Sequence, residues 1–191
     1  MSNNFSFSSN QHALDKVTFR FWVLCISLLA ILPTFCIMGI ASAVGNADDA
    51  VVGVCALLSI LPLIIASIFS VLFLYAVWQQ VPPDIARTTP SKAVIFLFIP
   101  FFNIYWQFIA IYGLGRDLNQ ALKQAGLRQQ VNETVGLTYC IVSIASCIPA
   151  ISTLIAIASL IIGLVYMSSL KNGVVKLLTV PQPLDDLVNS K

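Results

Sequence analysis

The chain has 191 residues, of which 58% are hydrophobic and 9% charged, and its formal net charge is +2. A soluble domain typically carries about 25% charged residues, so this composition leaves too little polar surface to cover a water-facing core. The Lys and Arg residues are spread over several stretches, which argues against nucleic acid as a partner; the mean hydropathy of +0.90 points to lipid as the solvent.

Four stretches, 21–44, 50–78, 93–115 and 135–170, contain no Asp, Glu, Lys, Arg or His, whereas a spanning helix needs only about 20 mainly apolar residues. The sequence therefore predicts an all-α, polytopic helical membrane protein with four to five hydrophobic helices. Its single membrane domain is expected at 19–171, between a disordered N-terminal tail, 1–18, and a cytoplasmic C-terminal tail, 172–191. The beginning of the chain, 1–11, is rich in Ser and Asn and uncharged. The first helix is expected at 19–44, with Trp22 at headgroup level. Lys16, Arg20 and Ala41-Ser42-Ala43 imitate a signal peptide, but the apolar run is longer than the roughly 7–15 residues of a signal core and reads as a retained anchor.

A short loop at 45–49 forces a return through a second helix, 50–78, whose exit is marked by Tyr75, Trp78, Gln79 and Gln80. Pro82, Pro83 and Pro90 keep 81–92 from continuing it. Ser91 offers a cap for the third helix, which Pro100 breaks by removing a backbone donor; Asn103 follows with a polar amide inside the apolar run. Beyond it, Leu118, Ala121, Leu122 and Ala125 recur at helical spacing opposite Arg116 and Lys123, the pattern of an amphipathic helix on the membrane surface, with a solvated connector as the alternative. The last run, 135–170, would be about 54 Å long as one helix against a hydrocarbon core of about 30 Å. It is expected to bend at Cys147-Ile148-Pro149-Ala150 into a hairpin; one long kinked helix is the other reading.

Positive residues near helix ends favour the cytoplasm. Lys16 and Arg20 place the N-terminus inside, and the loop at Asp48 has no cation and goes outside, which returns Arg87 and Lys92 to the inside. If the Pro-broken third segment crosses fully, Arg116, Lys123 and Arg128 are exported. If it dips in and returns at Pro100, every Lys and Arg is cytoplasmic. The charge count favours re-entry; full crossing stays open, because irregular backbone at membrane depth needs protein or water to satisfy it.

Chemistry-bearing residues are sparse. The only histidine is His12, and the pairs Asp48-Asp49 and Asp185-Asp186 have no third ligand nearby in sequence. No catalytic, metal or cofactor site is expected, and the chain does not read as an enzyme. All five cysteines, Cys25, Cys36, Cys55, Cys140 and Cys147, fall in apolar runs, where Cys behaves as a small hydrophobe. Leu32-Pro33, Leu61-Pro62, Ile99-Pro100 and Ile148-Pro149 could interrupt helices and free backbone groups for a substrate or ion, yet no ionisable residue accompanies them at depth. Small residues at Gly39, Ala41, Ala43, Ala156, Ser159 and Gly163 allow close helix contact or self-association.

The segments Ala86-Arg87-Thr88-Thr89-Pro90-Ser91-Lys92-Ala93-Val94, Phe98-Ile99-Pro100-Phe101-Phe102-Asn103-Ile104-Tyr105-Trp106 and Gly113-Leu114-Gly115-Arg116-Asp117-Leu118-Asn119 together resemble a stretch of uncharacterised bacterial multi-pass membrane proteins. The resemblance covers 86–119, less than a fifth of the chain. It implies a bacterial inner-membrane protein and supplies no activity. The expectation is thus an integral membrane protein with a structural or interaction role, its partners being the lipid bilayer and a membrane protein or a second copy. Arg87, Lys92, Arg116, Lys123 and Arg128 are the expected lipid-headgroup contacts. The alternative is a small-solute transporter or channel subunit in which Pro100, Asn103 and Gln107 line a polar break.

Overall fold

The computed structural model describes residues 10–30, 49–128, 131–145 and 152–179. Among them no strand occurs, and the elements are α1 (10–30), α2 (Asp49–Trp78), α3 (Pro90–Ile95), a 3-10 turn (Phe96–Phe98), α4 (Phe102–Gln107), a π-helical stretch (Phe108–Gly113), α5 (Leu114–Gln124), α6 (Glu133–Ala145) and α7 (Ser152–Thr179). Two helical stretches, Ile60–Trp78 in α2 and Ile157–Thr179 in α7, are long and apolar enough to cross a membrane, and α6 is a shorter apolar helix. α2 continues through Pro62 to Trp78, so this proline does not end the helix. Pro33, Pro149 and the expected outer loop 45–48 lie outside the described residues, as do 31–44 of the expected first span.

Helix extends into parts of both segments expected as tails. Residues 10–18 are helical, because Val17 continues the buried stripe of Phe21 and Leu24 at helical spacing. Residues 172–179 likewise extend α7, with Leu170, Val174 and Leu177 buried on one face. Residues 1–9 and 180–191 lie outside the described residues.

Contacts divide the chain into two packed units, Phe19–Phe73 and the set Met1–Thr18 with Leu74–Lys191. In the first, Phe19 meets Phe69 edge to face at 6.3 Å and Phe21 lies 6.0 Å from Phe73. The Arg20 guanidinium donates to the Leu72 carbonyl at 2.8 Å, which gives this cation a fixed acceptor beside an apolar helix.

In the second unit the third apolar segment folds back on itself. Thr89, not Ser91, caps α3: its hydroxyl accepts from the Lys92 amide and Pro90 occupies the first turn, where its missing N–H costs nothing. Six residues of α3 and three of 3-10 helix end at Ile99, and the chain reverses through Pro100 and Phe101. Phe101 has φ 62° and ψ −41°, a conformation that costs a bulky residue about 1–3 kcal/mol. The returning limb lies along the outgoing one. Trp106 donates its indole N–H to the Ala93 carbonyl at 3.1 Å, and Phe96 sits 4.8 Å from Trp106 and 5.8 Å from Phe102. The two ends of the segment are joined by Arg87 and Asp117. The fold-back therefore begins and ends at one place.

Where the returning limb passes through π-helix, three carbonyls accept from side chains of three other helices. Gln107 accepts from the Cys140 thiol at 3.6 Å, Ala110 from Trp78 Nε1 at 3.0 Å, and Ile111 from the Tyr166 hydroxyl at 2.6 Å. These bonds tie α6, α7 and Trp78 to the fold-back.

The last apolar run is a helical hairpin. A Cβ at Gly136 would meet the Tyr166 ring, and one at Gly163 would meet Tyr139; the numbers rise along α6 as they fall along α7, which makes the pair antiparallel. The bend expected at 147–150 lies outside the described residues. Gly136→Ala would put a methyl 2.7 Å from the Tyr166 ring, which is buried and cannot swing away without releasing Ile111. We expect this substitution to cost about 1–3 kcal/mol, read as a lowered midpoint of thermal unfolding in detergent. Gly53→Ala, at a position with nothing within 4 Å, should leave the midpoint at or slightly above wild type.

Candidate functional site: a polar pocket at the base of the fold-back

The turn carrying Arg87 meets α5 and the start of α6 around a pocket of about 570 Å³ lined by Arg87, Arg116, Asn119, Gln120, Lys123, Gln124 and Glu133. Five of these come from α5 at spacings that place them on one helical face. The opposite face is apolar and closed: Leu114, Leu118, Ala121 and Leu122 are buried, and Gly173 of α7 comes so near that a Cβ there would stand 3.0 Å from Leu118. This corrects the expectation of a helix lying on the membrane surface. The stripe is covered by protein and is not available to lipid.

Asp117 lies between the two faces and is 1% exposed. Its Oδ1 accepts from Arg87 Nε at 2.8 Å and its Oδ2 from the Arg87 backbone N–H at 3.1 Å. A carboxylate removed from water is tolerated when both oxygens are hydrogen-bonded and the charge is balanced, and one residue supplies all of this. The Arg87 side chain remains 44% exposed and lines the pocket, with two guanidinium nitrogens beyond the Nε that Asp117 engages.

Asn119 holds the other wall. Its Nδ2 donates to the Val131 carbonyl at 2.8 Å and to Glu133 Oε1 at 3.1 Å, while its Oδ1 accepts from the Val131 N–H at 3.0 Å. The connection it clamps leaves α5 through Gly126 at φ +72°. The Gly126 N–H bonds the Lys123 carbonyl and the Leu127 N–H bonds that of Leu122, the paired closure of a Schellman end. Asn132 then caps α6, its Oδ1 accepting from the Thr134 N–H at 3.0 Å. Glu133 is thus fixed at the pocket rim, 3.8 Å from Arg116 Nε, and Arg116 also lies 5.9 Å from the centre of the Tyr112 ring. Lys123 has no ion pair among the described residues. Three cations face one carboxylate across the pocket, and the second carboxylate, Asp117, is engaged behind Arg87.

Of the five cations expected at the headgroup level, Arg87, Arg116 and Lys123 converge on this pocket, whereas Lys92 and Arg128 are exposed and do not line it. Pro100 and Asn103 are exposed in the turn of the fold-back. Gln107 is directed at α6, its Oε1 accepting from the Ser143 hydroxyl at 2.8 Å. Asp117, Asn119 and Glu133 were not singled out from sequence as site residues; Asp117 and Asn119 stand in the Gly113-to-Asn119 segment, but their partners at 87 and 131 are not adjacent in sequence. His12 borders a separate cavity of about 200 Å³ with Lys16, Gln79 and Gln80, which has no acidic or thiol side chain in its lining. Among the described residues no group of three His, Cys, Asp or Glu could hold a metal.

Arg87→Ala leaves the Asp117 carboxylate enclosed without its counter-charge and should lower stability by about 2–4 kcal/mol, while Lys92→Ala should stay within about 0.5 kcal/mol of wild type. Denaturant unfolding in a fixed detergent measures both. The Arg87→Ala/Asp117→Ala double variant should lose less than the sum of the single losses, because the orphaned charge is gone.

No protein family, curated protein or solved structure matches the chain in comparison.

Proposed function

We propose that this is an integral, multi-pass membrane protein of the bacterial inner membrane, with a structural or interaction role and no catalytic one. In this reading α2 and the α6–α7 hairpin cross the bilayer, and 90–113 enters and leaves it on the cytoplasmic side. The observation that carries the reading is the turn of the fold-back. Phe101 is 87% exposed on a strained backbone, and Phe98, Ile99, Phe102, Ile104 and Tyr105 beside it are exposed as well. In water this would combine backbone strain with a large bare apolar surface. In lipid each fully buried aromatic side chain would return about 1.5–3 kcal/mol, enough to offset the strain.

Charge supports the same orientation. Arg87 and Asp117 join the ends of the segment, so Arg87, Lys92, Arg116, Lys123 and Arg128 belong to one side. Lys171 and Lys176 flank Gly173, which packs on Leu118 of α5, and so fall on that side too. Exposed Leu57, Leu61, Ile64 and Ile68 along α2 and Ile157, Ile161 and Val165 along α7 provide the lipid-facing surface. The resemblance of 86–119 and this charge asymmetry support a location in an inner membrane.

Cysteine accessibility tests the reading. In a background without native cysteines, Thr88→Cys and Gln124→Cys should both react with a membrane-impermeant maleimide only when the cytoplasmic face is open, and Phe101→Cys should stay protected from either side until detergent is added. Labelling of Thr88→Cys and Gln124→Cys from opposite sides would refute re-entry. Release of the intact protein by carbonate washing would refute the membrane assignment itself.

A further inference from the structure

We propose that the pocket between Arg87, Arg116 and Lys123 is a binding site for a phosphate group, with the headgroup of an anionic phospholipid as its expected source. The inference rests on the membrane reading above, since that reading puts the pocket at the level of lipid headgroups. Several features of the pocket fit this ligand. Asp117 holds Arg87 by its backbone N–H at 3.1 Å and by its Nε at 2.8 Å, so the base of the guanidinium is positioned before any ligand arrives, and a planar fork of donors suits phosphoryl oxygens. Arg116 is only loosely engaged by Glu133, at 3.8 Å, and Lys123 has no ion pair among the described residues. The remaining lining is Asn119, Gln120 and Gln124, and the two glutamines are exposed with amide donors of their own. Balancing Arg87 against Asp117 and Arg116 against Glu133 leaves Lys123 as an uncompensated positive charge, which a phosphodiester monoanion would neutralise. The volume of about 570 Å³ accommodates a phosphoglycerol headgroup, within the size range of small-molecule sites. Basic pockets between helices on the cytoplasmic side are suited to such headgroups.

The test uses the full chain, purified in a non-ionic detergent and stripped of lipid, and titrated under native mass spectrometry. One arm adds dioctanoyl phosphatidylglycerol, a second adds sn-glycerol 3-phosphate, and a third adds dioctanoylglycerol, which has the same chains without phosphate. The expected result is one saturable phosphatidylglycerol per chain and no comparable binding of dioctanoylglycerol. Arg116→Gln/Lys123→Gln, two exposed residues whose loss orphans no buried charge, should weaken that binding about tenfold or more, while Lys92→Gln/Arg128→Gln should leave it unchanged. Equal occupancy by glycerol 3-phosphate would support the phosphate site and assign it to a soluble ligand. The proposal is overturned if dioctanoylglycerol binds as well as phosphatidylglycerol, if neither phosphate binds, or if the Arg116→Gln/Lys123→Gln protein, with its unfolding midpoint intact, binds phosphatidylglycerol like wild type. Failure of the membrane reading shows separately in the carbonate wash, which does not depend on these residues.

Discussion

A chain that reverses direction among apolar residues must find partners for the backbone groups its helix no longer serves. At 99–104 the turn meets part of this need itself: the Phe102 N–H bonds the Pro100 carbonyl at 2.7 Å and the Asn103 N–H bonds that of Ile99 at 3.0 Å. Along the two limbs, side chains serve further carbonyls. Trp106 reaches Ala93, Trp78 reaches Ala110 and Tyr166 reaches Ile111. Each donor is a large, mostly apolar residue with one polar atom, so it fills space between helices and satisfies a carbonyl in the same act. Packing and hydrogen bonding are therefore one constraint in the second unit. The glycines follow from it: Gly115 and Gly136 stand where the Tyr166 side chain needs room, and a Cβ at either would fall within 3.0 Å of it.

The same constraint accounts for the position of the charges. Asp117 follows directly on the returning limb and is enclosed as that limb packs against its neighbours; the residue available to balance it is the one at the start of the outgoing limb, Arg87. The ion pair is thus a consequence of the fold-back and also its closure. Once it forms, Arg87 and the polar face of α5 are brought to the same wall, and Asn119 draws the start of α6 toward them through Val131 and Glu133. The pocket exists because three separate segments are held there by buried polar groups.

Helix, apolarity and breakage were legible in the sequence. The uncharged stretches fixed where long helices can form, Pro100 marked the reversal, and Pro149 with the excess length of 135–170 pointed to a hairpin, because length against bilayer thickness and the chemistry of proline are local properties. The all-helical character of the described residues and two helices of spanning length agree with that reading. Element ends were less legible. Val17 and Val174 extend their helices because tertiary contacts bury them, which composition near a tail does not reveal. The surface-helix reading of 116–125 misjudged what covers the stripe, since an apolar face looks the same in sequence whether lipid or α7 lies against it.

What the sequence determined by itself, then, is the apolar runs and the punctuation: where long uncharged helices can form, and where proline stops one. Only the tertiary structure decided that the limbs on either side of Pro100 lie together, that Arg87 answers Asp117, and that Arg116 and Lys123 join Arg87 around one pocket while Lys92 and Arg128 do not. The physical reason is distance along the chain. Hydropathy and backbone preference act over a few residues, whereas the bonds that shape the site join positions 12 to 30 residues apart, and such partners are selected by which helices pack, not by any spacing that can be read in advance.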